Sequence, residues 1–564
     1  MRNDIVSFGI WQRSVSTPWL AGGSGIECTI VYTVSFRRST RSHGGARFEL
    51  TSISFPNPGI QMNRRNFIRS TAAALTAGVG ASLWGTKFAR AFGEIPKNAE
   101  SILIPAERRA RNILEIFLYG GVSQYESFYC IPSFGQVSGT QWHTFLNDGQ
   151  LQAAVDKCGW VGPLTEPFAL DGNGSMVHLG PFVMPLRERP DVVSRMRISI
   201  TAHDLEPHEG AIPLMLAGRG LGHPALSGLG AHIQRYCLDR YAETDRAPYA
   251  YALVAAGSNG LPTDNVRAVT AIGLHPGAAR PLMIQVDGAG ELMQMLERKN
   301  VAAVRPQYDA LMQHYIDRQR TRLRWKNQGS SLRTPRLGEL EAAARAMANA
   351  PAISGVFGPE FFQTLGGSNC GDNATTDATT MNLKLAAHLL THPTTPAKYV
   401  CVVDTGLIGS DGGGGYDTHV ENSITQSRNL SHTLKQLLAV VNQPGENDPT
   451  KIDLDDTLIV LTTEFGRTPY KQGDKGRNHW PYGFPVVFIG GPVRPDNAGI
   501  FGSCNEDGYA TLASSPQENR IAALLALGIW PFASESYNVS DVPDAANEVQ
   551  AVQFVQKRQL GVAT

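Results

Sequence analysis

Two loops in the second half of the chain carry side chains that could bind a metal ion. Asp417 and His419 lie in the segment GYDTH, and Glu464 and His479 lie in the segment TTEFGRTPYKQGDKGRNHWP. Carboxylate oxygens and imidazole nitrogens are ligands for divalent ions such as Zn, Mn, Mg or Ca. We therefore predict a metal site at these residues, in which one or two bound ions lower the pKa of a water or hydroxyl group.

Further side chains could complete this site. Glu126 follows the first predicted strand and is a fifth candidate ligand, and the Arg467 guanidinium could bind two oxygens of a sulfate or phosphate group. A second group, HDLEPHEG, places His203 and His208 beside three carboxylates, between a strand and a helix. Two interpretations stay open for it: metal or acid–base chemistry, or a solvated turn that caps the helix.

The elements that must hold these loops are predicted from apolar runs. Thr457–Thr462 is apolar without alternation, as expected for a strand that is covered on both faces. Five more strands are predicted at residues 111–121, 196–202, 249–256, 398–404 and 484–490. Helices are predicted at residues 211–217, 306–350, 422–441 and 517–527, followed by a polar tail. We expect Asn422 or Ser423 to cap the third of these helices.

This alternation predicts one α/β domain over residues 92–564, with a mainly parallel central sheet and helices on both faces. A helical and loop insertion is expected at about residues 300–380. Open α/β sheets bind their ligands at the carboxyl ends of the strands. The predicted metal ligands all follow strands, so we expect them to meet at that edge.

The segment MNRRNFIRSTAAALTAGVGASLWGTKFARA resembles a twin-arginine export signal. Arg64 and Arg65 precede a mildly apolar stretch, and Ala89-Arg90-Ala91 has the form of a cleavage site. We predict that residues 62–91 are this signal, that Met62 is the true start, and that residues 1–61 are a mis-assigned, disordered upstream extension. The twin-arginine translocase would then be a partner, and the mature protein would be periplasmic or secreted.

The composition excludes several classes of partner. The chain has 50 basic and 50 acidic residues among 564, so nothing in its charge favours nucleic acid or an anionic membrane. No run after the signal reaches the length of a membrane span. A small anionic ester or a polysaccharide would have to bind through local charge. The seven cysteines include no CxxC pair, and we interpret most of them as small buried apolar residues, with one or two disulfides left open.

Several of these segments together resemble a known family. The export signal, GGVSQYESF, LMLAGRG, GYDTH, TTEFGRTP and GRNHWP are similar to the bacterial domain-of-unknown-function 1501 family, which is related to sulfatases and the alkaline phosphatase superfamily. The resemblance covers nearly all of the chain from Met62. It implies an alkaline-phosphatase/sulfatase-like fold, in which Asp417, His419, Glu464 and His479 match positions that resemble metal ligands of that superfamily.

The chain also departs from the family pattern. Members usually read GGPSxxDTFD where this chain reads GGVSQYESFYC, so Glu126 replaces one aspartate and Tyr129 replaces another. The segment HEGAIPLMLAGR resembles the sulfatase segment that carries the nucleophile, but it has neither Cys nor Ser at that place. His208 falls roughly there, as a ligand, an acid–base group or a nucleophile.

Two functions follow from this pattern. The first is a periplasmic metal-dependent hydrolase of sulfate or phosphate esters, in which His208, His203 and Arg467 are the candidate catalytic residues and the ion activates the nucleophile. The second is a non-catalytic protein that retains the sulfatase-like fold to bind a polysaccharide, another anion or a partner protein. The surviving Asp, His and Glu side chains favour the first function, and the loss of a carboxylate at Tyr129 favours the second.

The export signal makes a direct prediction about the mature chain. Cleavage after Ala91 should leave a protein that begins at Phe92. Amino-terminal sequencing of protein recovered from the periplasm measures this, and an exported chain that began at Met1 would contradict it.

Overall fold

The computed structural model of the protein describes residues 33–39, 47–54, 93–134, 149–223, 226–240, 251–256, 282–286, 305–327, 378–393, 396–407, 415–533 and 536–562. The chain divides into two compact units, residues 1–89 and 90–564. The first unit contains an antiparallel pair of strands, β1 (Thr33–Ser39) and β2 (Arg47–Ser54). This pair lies within residues 1–61, where we expect disorder from the sequence. The predicted export signal lies outside the described residues.

The second unit alternates strands and helices. Its strands are β3 (Asn112–Leu118), β4 (Glu166–Leu170), β5 (Met176–Leu179), β6 (Met196–Thr201), β7 (Tyr251–Ala256), β8 (Leu282–Val286), β9 (Tyr399–Asp404), β10 (Thr457–Thr462), β11 (Gly466–Arg467), β12 (His479–Trp480), β13 (Phe484–Gly490), β14 (Gly499–Phe501), β15 (Ser503–Cys504) and β16 (Ala510–Leu512). The described α-helices are α1 (Gly149–Cys158), α2 (Pro190–Val193), α3 (His208–Ala217), α4 (Leu229–Arg240), α5 (Arg305–Asn327), α6 (Ala378–Thr391), α7 (Asn422–Ala439), α8 (Pro516–Ala526) and α9 (Glu548–Gln559). Short 3-10 helices lie at Lys97–Ile102, Ala106–Arg108, Gln124–Glu126, Pro181–Glu188 and Val539–Asp541.

An eight-stranded sheet organises this unit, in the order β14-β6-β13-β10-β3-β9-β7-β8. The α/β class predicted from the sequence is confirmed, but the sheet is mixed rather than mainly parallel. Strand β13 runs antiparallel to both of its neighbours, β10 and β6. A parallel return would need a crossover, usually a helix, whereas residues 463–483 are rich in Gly, Pro and polar side chains and contain no helix.

Hydrophobic cores lie on the two faces of the sheet. Alternate residues of β3 point to opposite faces. Ile113 and Phe117 belong to the first core, with α3, α4, α8 and α9, whereas Leu114 and Ile116 belong to the second core, with α6 and α7. Strands that are buried on both faces must be apolar at nearly every position. This is the reason that β3, β10 and β13 could be found as continuous apolar runs.

The helix ends are less well predicted than the strands. Helix α7 begins at Asn422, but its N-cap position is Glu421 and no side chain caps it there. The prediction that Asn422 or Ser423 caps this helix is therefore wrong, and the Asn422 backbone N–H donates to the Lys475 carbonyl instead. The predicted polar tail is also wrong, because α9 packs its Ala551, Val552 and Val555 into the first core. Residues 328–377 lie outside the described residues, and so does most of the predicted insertion.

The cysteines agree with the interpretation made from the sequence. Cys130, Cys237, Cys401 and Cys504 are buried free thiols, and Cys158 is disulfide-bonded. Within the described part of the chain, none of the helices combines the length and the apolar character that crossing a bilayer requires.

A buried ion pair crosses the first core. Arg520 of α8 donates to Glu115 of β3 over 2.5 Å, and both side chains are fully buried. Tyr399 of β9 also donates its hydroxyl to the Glu115 carboxylate. The pair joins a helix to two strands, and removal of one partner would leave a charge in an apolar environment.

We predict that Arg520→Met lowers the free energy of unfolding by about 3–5 kcal/mol, because Glu115 loses its cation but stays buried. The control is Lys475→Ala, which removes a pair with Glu421 whose side chains are 45% and 41% exposed and should cost less than about 1 kcal/mol. Urea unfolding of both variants measures the difference, and equal losses would contradict the importance of the buried pair.

Candidate metal centre

Four strands deliver the candidate residues to one edge of the sheet. Leu118 at the end of β3 pairs with Asp404 at the end of β9, and Thr462 at the end of β10 pairs with Phe117. Strand β6 ends at the same edge, where Thr201 pairs with the start of β13. The loops after β3, β6, β9 and β10 therefore leave the sheet together, as predicted.

A glycine turn lets two of these loops touch. Gly120 and Gly121 follow β3 with φ of 116° and 92°, which side chains rarely adopt. A Cβ at Gly120 would also clash with the backbone nitrogen of Asp417. The glycines thus let the β3 turn lie directly against the GYDTH loop.

Asp417 is the centre of the site. Its Oδ1 lies 2.9 Å from His419 Nε2 and 3.3 Å from His479 Nε2, and its Oδ2 lies 3.3 Å from His208 Nε2. The ligand atoms of His208, Asp417 and His479 all lie within 4.8 Å of one another. The structure therefore brings together Asp417, His419 and His479 as predicted, and adds His208 to them.

The other nitrogen of each imidazole is held from behind. His208 Nδ1 lies 2.8 Å from Glu464 Oε1, His479 Nδ1 lies 3.0 Å from the Glu206 carbonyl, and His419 Nδ1 lies 2.8 Å from Gln472 Oε1. Oxygen acceptors at all three positions place a proton on each Nδ1. Each Nε2 therefore faces Asp417, and it could ligate a metal ion once it carries no proton. This is the arrangement by which proteins orient histidines that ligate metals.

Glu464 is one of these supports rather than a member of the inner group. Its side chain is fully buried, and it accepts a hydrogen bond from the Gly120 N–H over 2.8 Å. The predicted ligand Glu464 is thus placed behind His208. A carboxylate in this position fixes the ring and increases the basicity of its free nitrogen.

Arg467 is fully buried, and its guanidinium is directed at the protein itself. It donates to the backbone carbonyls of Gly120, Gly121, Tyr416 and Arg477, and over 2.6 Å to Asp417 Oδ1. The sequence predicted Arg467 as the contact for a sulfate or phosphate, whereas the structure places it as the residue that positions Asp417.

Glu126 is held away from the inner group. Its carboxylate pairs with Arg477 and accepts the Ser123 hydroxyl, and all three side chains are fully buried. Among the described residues, Glu126 is not part of the group that could hold an ion. Tyr129 donates its hydroxyl to Asp171 over 2.5 Å, so this position supplies no carboxylate either.

His203 supports the site through the backbone. Its Nδ1 accepts the Leu205 N–H over 3.1 Å, so its Nε2 carries the proton and donates to the Glu464 carbonyl over 2.7 Å. Burial lowers the pKa of His203 and keeps the ring neutral. This predicted catalytic residue therefore fixes the loop that carries Glu464.

The charges of the site are strongly coupled. Burial alone would raise the pKa of Asp417, but the close contacts with His208, His419 and His479 and the charge of Arg467 hold this pKa well below its ordinary value. Burial opposes protonation of His208, yet Asp417 and Glu464 outweigh it and raise its pKa to about 9. Burial lowers the pKa of His479. A buried carboxylate that stays ionised among imidazoles is a strong attractor for a cation.

Three supporting residues were not identified from the sequence. Gln472 and Glu206 hold imidazoles, and Arg477 neutralises Glu126. Gln472 and Arg477 lie inside the breaker-rich loop, and Glu206 lies inside HDLEPHEG. Their closeness in sequence to the candidate ligands could have identified them. Glu206 acts through its backbone carbonyl, however, and the residue type does not reveal such a role.

One family matches part of the chain. Residues 363–526 match the family described as Protein of unknown function (DUF1501). This range contains Asp417, His419, Glu464, Arg467 and His479, and over these residues it supports the predicted resemblance to the domain-of-unknown-function 1501 family. No curated protein matches the chain.

We predict that Gly120→Ala weakens Zn²⁺ binding at least tenfold, because the new methyl group displaces Asp417 from its three imidazoles. Gly445→Ala is the matched control, since Gly445 also has a positive φ, of 83°, but has no atom within 4 Å of its would-be Cβ. Isothermal titration with ZnCl₂ compares the variants. Equal affinities would show that the turn does not position Asp417.

Proposed function

We propose that this protein is a metal-dependent hydrolase of sulfate or phosphate esters that uses a borderline divalent ion, of which zinc fits best. The observation that carries this proposal is the set of three imidazoles whose Nδ1 atoms are held and whose Nε2 atoms face one carboxylate. The resemblance to the sulfatase and alkaline phosphatase superfamily supports it and suggests that the sheet belongs to that kind of fold.

The donor set selects among the candidate ions. Three imidazoles and one carboxylate suit Zn or a similar first-row metal, whereas Ca and Mg prefer oxygen ligands. His208 Nε2 supports the same conclusion, because it is buried and its 3.3 Å contact with Asp417 Oδ2 does not have the geometry of a hydrogen bond. A buried nitrogen without a hydrogen-bond partner destabilises the folded state unless an ion or a water contacts it.

The described ligands are sufficient for one ion. Catalytic zinc sites use three protein ligands and keep one position open, and His208, Asp417 and His479 form such a trio. His419 contacts Asp417 Oδ1, the oxygen that His479 also contacts, and its side chain is 26% exposed. It would either be a fourth ligand or lie beside the open position. Glu126, the fifth candidate ligand, pairs with Arg477, and Tyr129, where the family pattern has an aspartate, donates to Asp171, so neither supports a second ion.

A bound ion of this kind would lower the pKa of a water and polarise an ester oxygen. The protein residues would hold the geometry: Arg467 keeps Asp417 ionised and fixed, and Glu464 keeps the His208 ring in place. Two hydroxyls of these loops, Ser123 and Thr463, donate to Glu126 and to the Leu118 carbonyl and are not among the atoms that converge on Asp417. Water is therefore the proposed nucleophile.

A second candidate is a non-catalytic protein that binds a metal and an anion or polysaccharide. The observation in its favour concerns Arg467, the predicted anion contact. Its N–H groups donate to backbone carbonyls and to Asp417 rather than pointing to a position for a substrate anion. Both candidates include the same metal centre and differ in turnover. For either, we propose export through the twin-arginine translocase to the periplasm, which the segment at residues 62–91 supports.

Metal analysis of the purified protein, followed by a substrate screen, tests the hydrolase proposal. We expect about one equivalent of zinc per chain, lost in the double variant Asp417→Ala, His479→Ala and retained in the control His314→Ala, which alters an exposed histidine of α5. Against aryl sulfates, phosphomonoesters and phosphodiesters, we expect turnover that falls about 100-fold or more in the double variant.

The outcomes separate the two candidates. Turnover that chelation removes and zinc restores would establish the hydrolase. Bound metal without turnover on any ester would leave the binding protein, and the absence of bound metal would overturn both. Circular dichroism of the double variant distinguishes loss of the site from loss of the fold.

A further inference from the structure

A group of aromatic side chains lies beside the metal centre and takes no part in it. Tyr470, Tyr482 and Tyr509 surround Trp480, with ring centroids 6.0, 5.0 and 4.7 Å from the Trp480 ring, and Tyr482 lies 5.5 Å from Tyr509. We name these four residues the tyrosine patch. Trp480 is buried, whereas Tyr470 and Tyr509 are 38% and 48% exposed. The patch therefore presents aromatic rings to solvent around a buried centre.

The patch is continuous with the metal centre. Trp480 directly follows His479, and both form β12, which pairs with Gly466 and Arg467. The Tyr482 hydroxyl donates over 3.2 Å to the side chain of Glu206. The backbone carbonyl of Glu206 accepts the hydrogen bond from His479 Nδ1. One residue thus contacts both places, so a molecule on the patch would extend toward the ion.

The patch is also preorganised. The Trp480 indole N–H donates to the Gly508 carbonyl over 2.7 Å, and the Ala510 N–H donates to the Tyr482 carbonyl over 2.8 Å. These bonds join the segment after β12 to the segment that carries Tyr509. Binding to a surface that is already ordered costs little conformational entropy.

The polar groups around the patch define what could bind there. Glu506 and Asp507 are exposed and precede Tyr509 in the chain, and the Glu206 carboxylate lies at the Tyr482 hydroxyl. These three carboxylates outnumber the one cation adjacent to the patch in the chain, the exposed Lys471. They therefore disfavour the phosphates of a nucleotide, and a fatty acyl chain would desolvate them without compensation. A sugar ring suits both the aromatic rings and the carboxylates, because its C–H face packs on an aromatic ring and its hydroxyls donate to carboxylates.

We propose that the tyrosine patch binds a neutral sugar unit of a carbohydrate ester, and so directs the sulfate or phosphate group of that ester to the metal centre. The ester part of this proposal rests on the proposed function, whereas the sugar contact rests on the tyrosine patch alone. It makes the substrate a sulfated or phosphorylated glycan rather than a small aryl or alkyl ester.

Affinity electrophoresis through native gels that contain a neutral polysaccharide tests the sugar contact without any turnover. The probes are galactomannan, arabinoxylan, laminarin, hydroxyethylcellulose and dextran. We expect at least one of them to retard the wild-type chain, and the dissociation constant to rise about tenfold in Tyr509→Ala or Tyr470→Ala, as loss of one aromatic contact predicts. Tyr509→Phe keeps the ring and should bind as the wild type does.

Two controls make the result specific. Tyr308→Ala removes a tyrosine of α5 that is also 48% exposed, and it should leave retardation unchanged. Removal of metal from the wild-type chain with EDTA should also leave retardation by neutral polysaccharides unchanged, so failure of the metal proposal and failure of the sugar proposal give different results. No retardation by any probe, or retardation that both tyrosine variants retain, would overturn the proposal.

Discussion

A buried guanidinium holds the functional edge of this protein together. Arg467 donates to carbonyls of the turn after β3, of the GYDTH loop and of the segment before His479, and it also pairs with Asp417. Four carbonyls and a carboxylate in a buried space would be very unfavourable without such a donor, and a planar group with five N–H donors can satisfy them together. The position of Asp417, and with it the convergence of three histidines, depends on this one side chain.

The same principle explains why the inner group contains fewer carboxylates than the sequence suggested. In a buried place each carboxylate needs a cation or several hydrogen bonds. Glu126 has Arg477, Glu115 has Arg520 and Glu464 has backbone and imidazole donors, whereas Asp417 has imidazoles and Arg467. Of these four acids, Asp417 is the one that contacts three imidazole Nε2 atoms, which could give up a proton and bind a metal. The difference between a structural acid and a ligand lies in the partners, which residue type alone does not reveal.

Much of the sheet could be predicted because each strand leaves a strong local signal. Thr457–Thr462 and Phe484–Gly490 were predicted with the bounds that the structure shows, since strands covered on both faces are apolar throughout. The direction of β13 could not be predicted, because an antiparallel and a parallel strand share the same pattern. Likewise, Asp417, His419 and His479 were identified as candidate ligands from their residue types and their places after strands. The roles of Glu464 and Arg467 depended on which way each side chain points.

The reversed direction of β13 has a consequence for how this site could change in evolution. Because β10 ends and β13 begins at the same edge, both ends of residues 463–483 are anchored there, and the intervening chain never crosses the protein. Glu464 and Arg467 lie near one anchor and His479 and Trp480 near the other, with an exposed tip at Tyr470–Lys475 between them. Loop closure entropy grows only slowly with length. Residues of the tip other than Gln472, which holds the His419 ring, could therefore change in number and type while the anchors keep Glu464, Arg467 and His479 in place. Relatives with the same chemistry could in this way acquire different substrates.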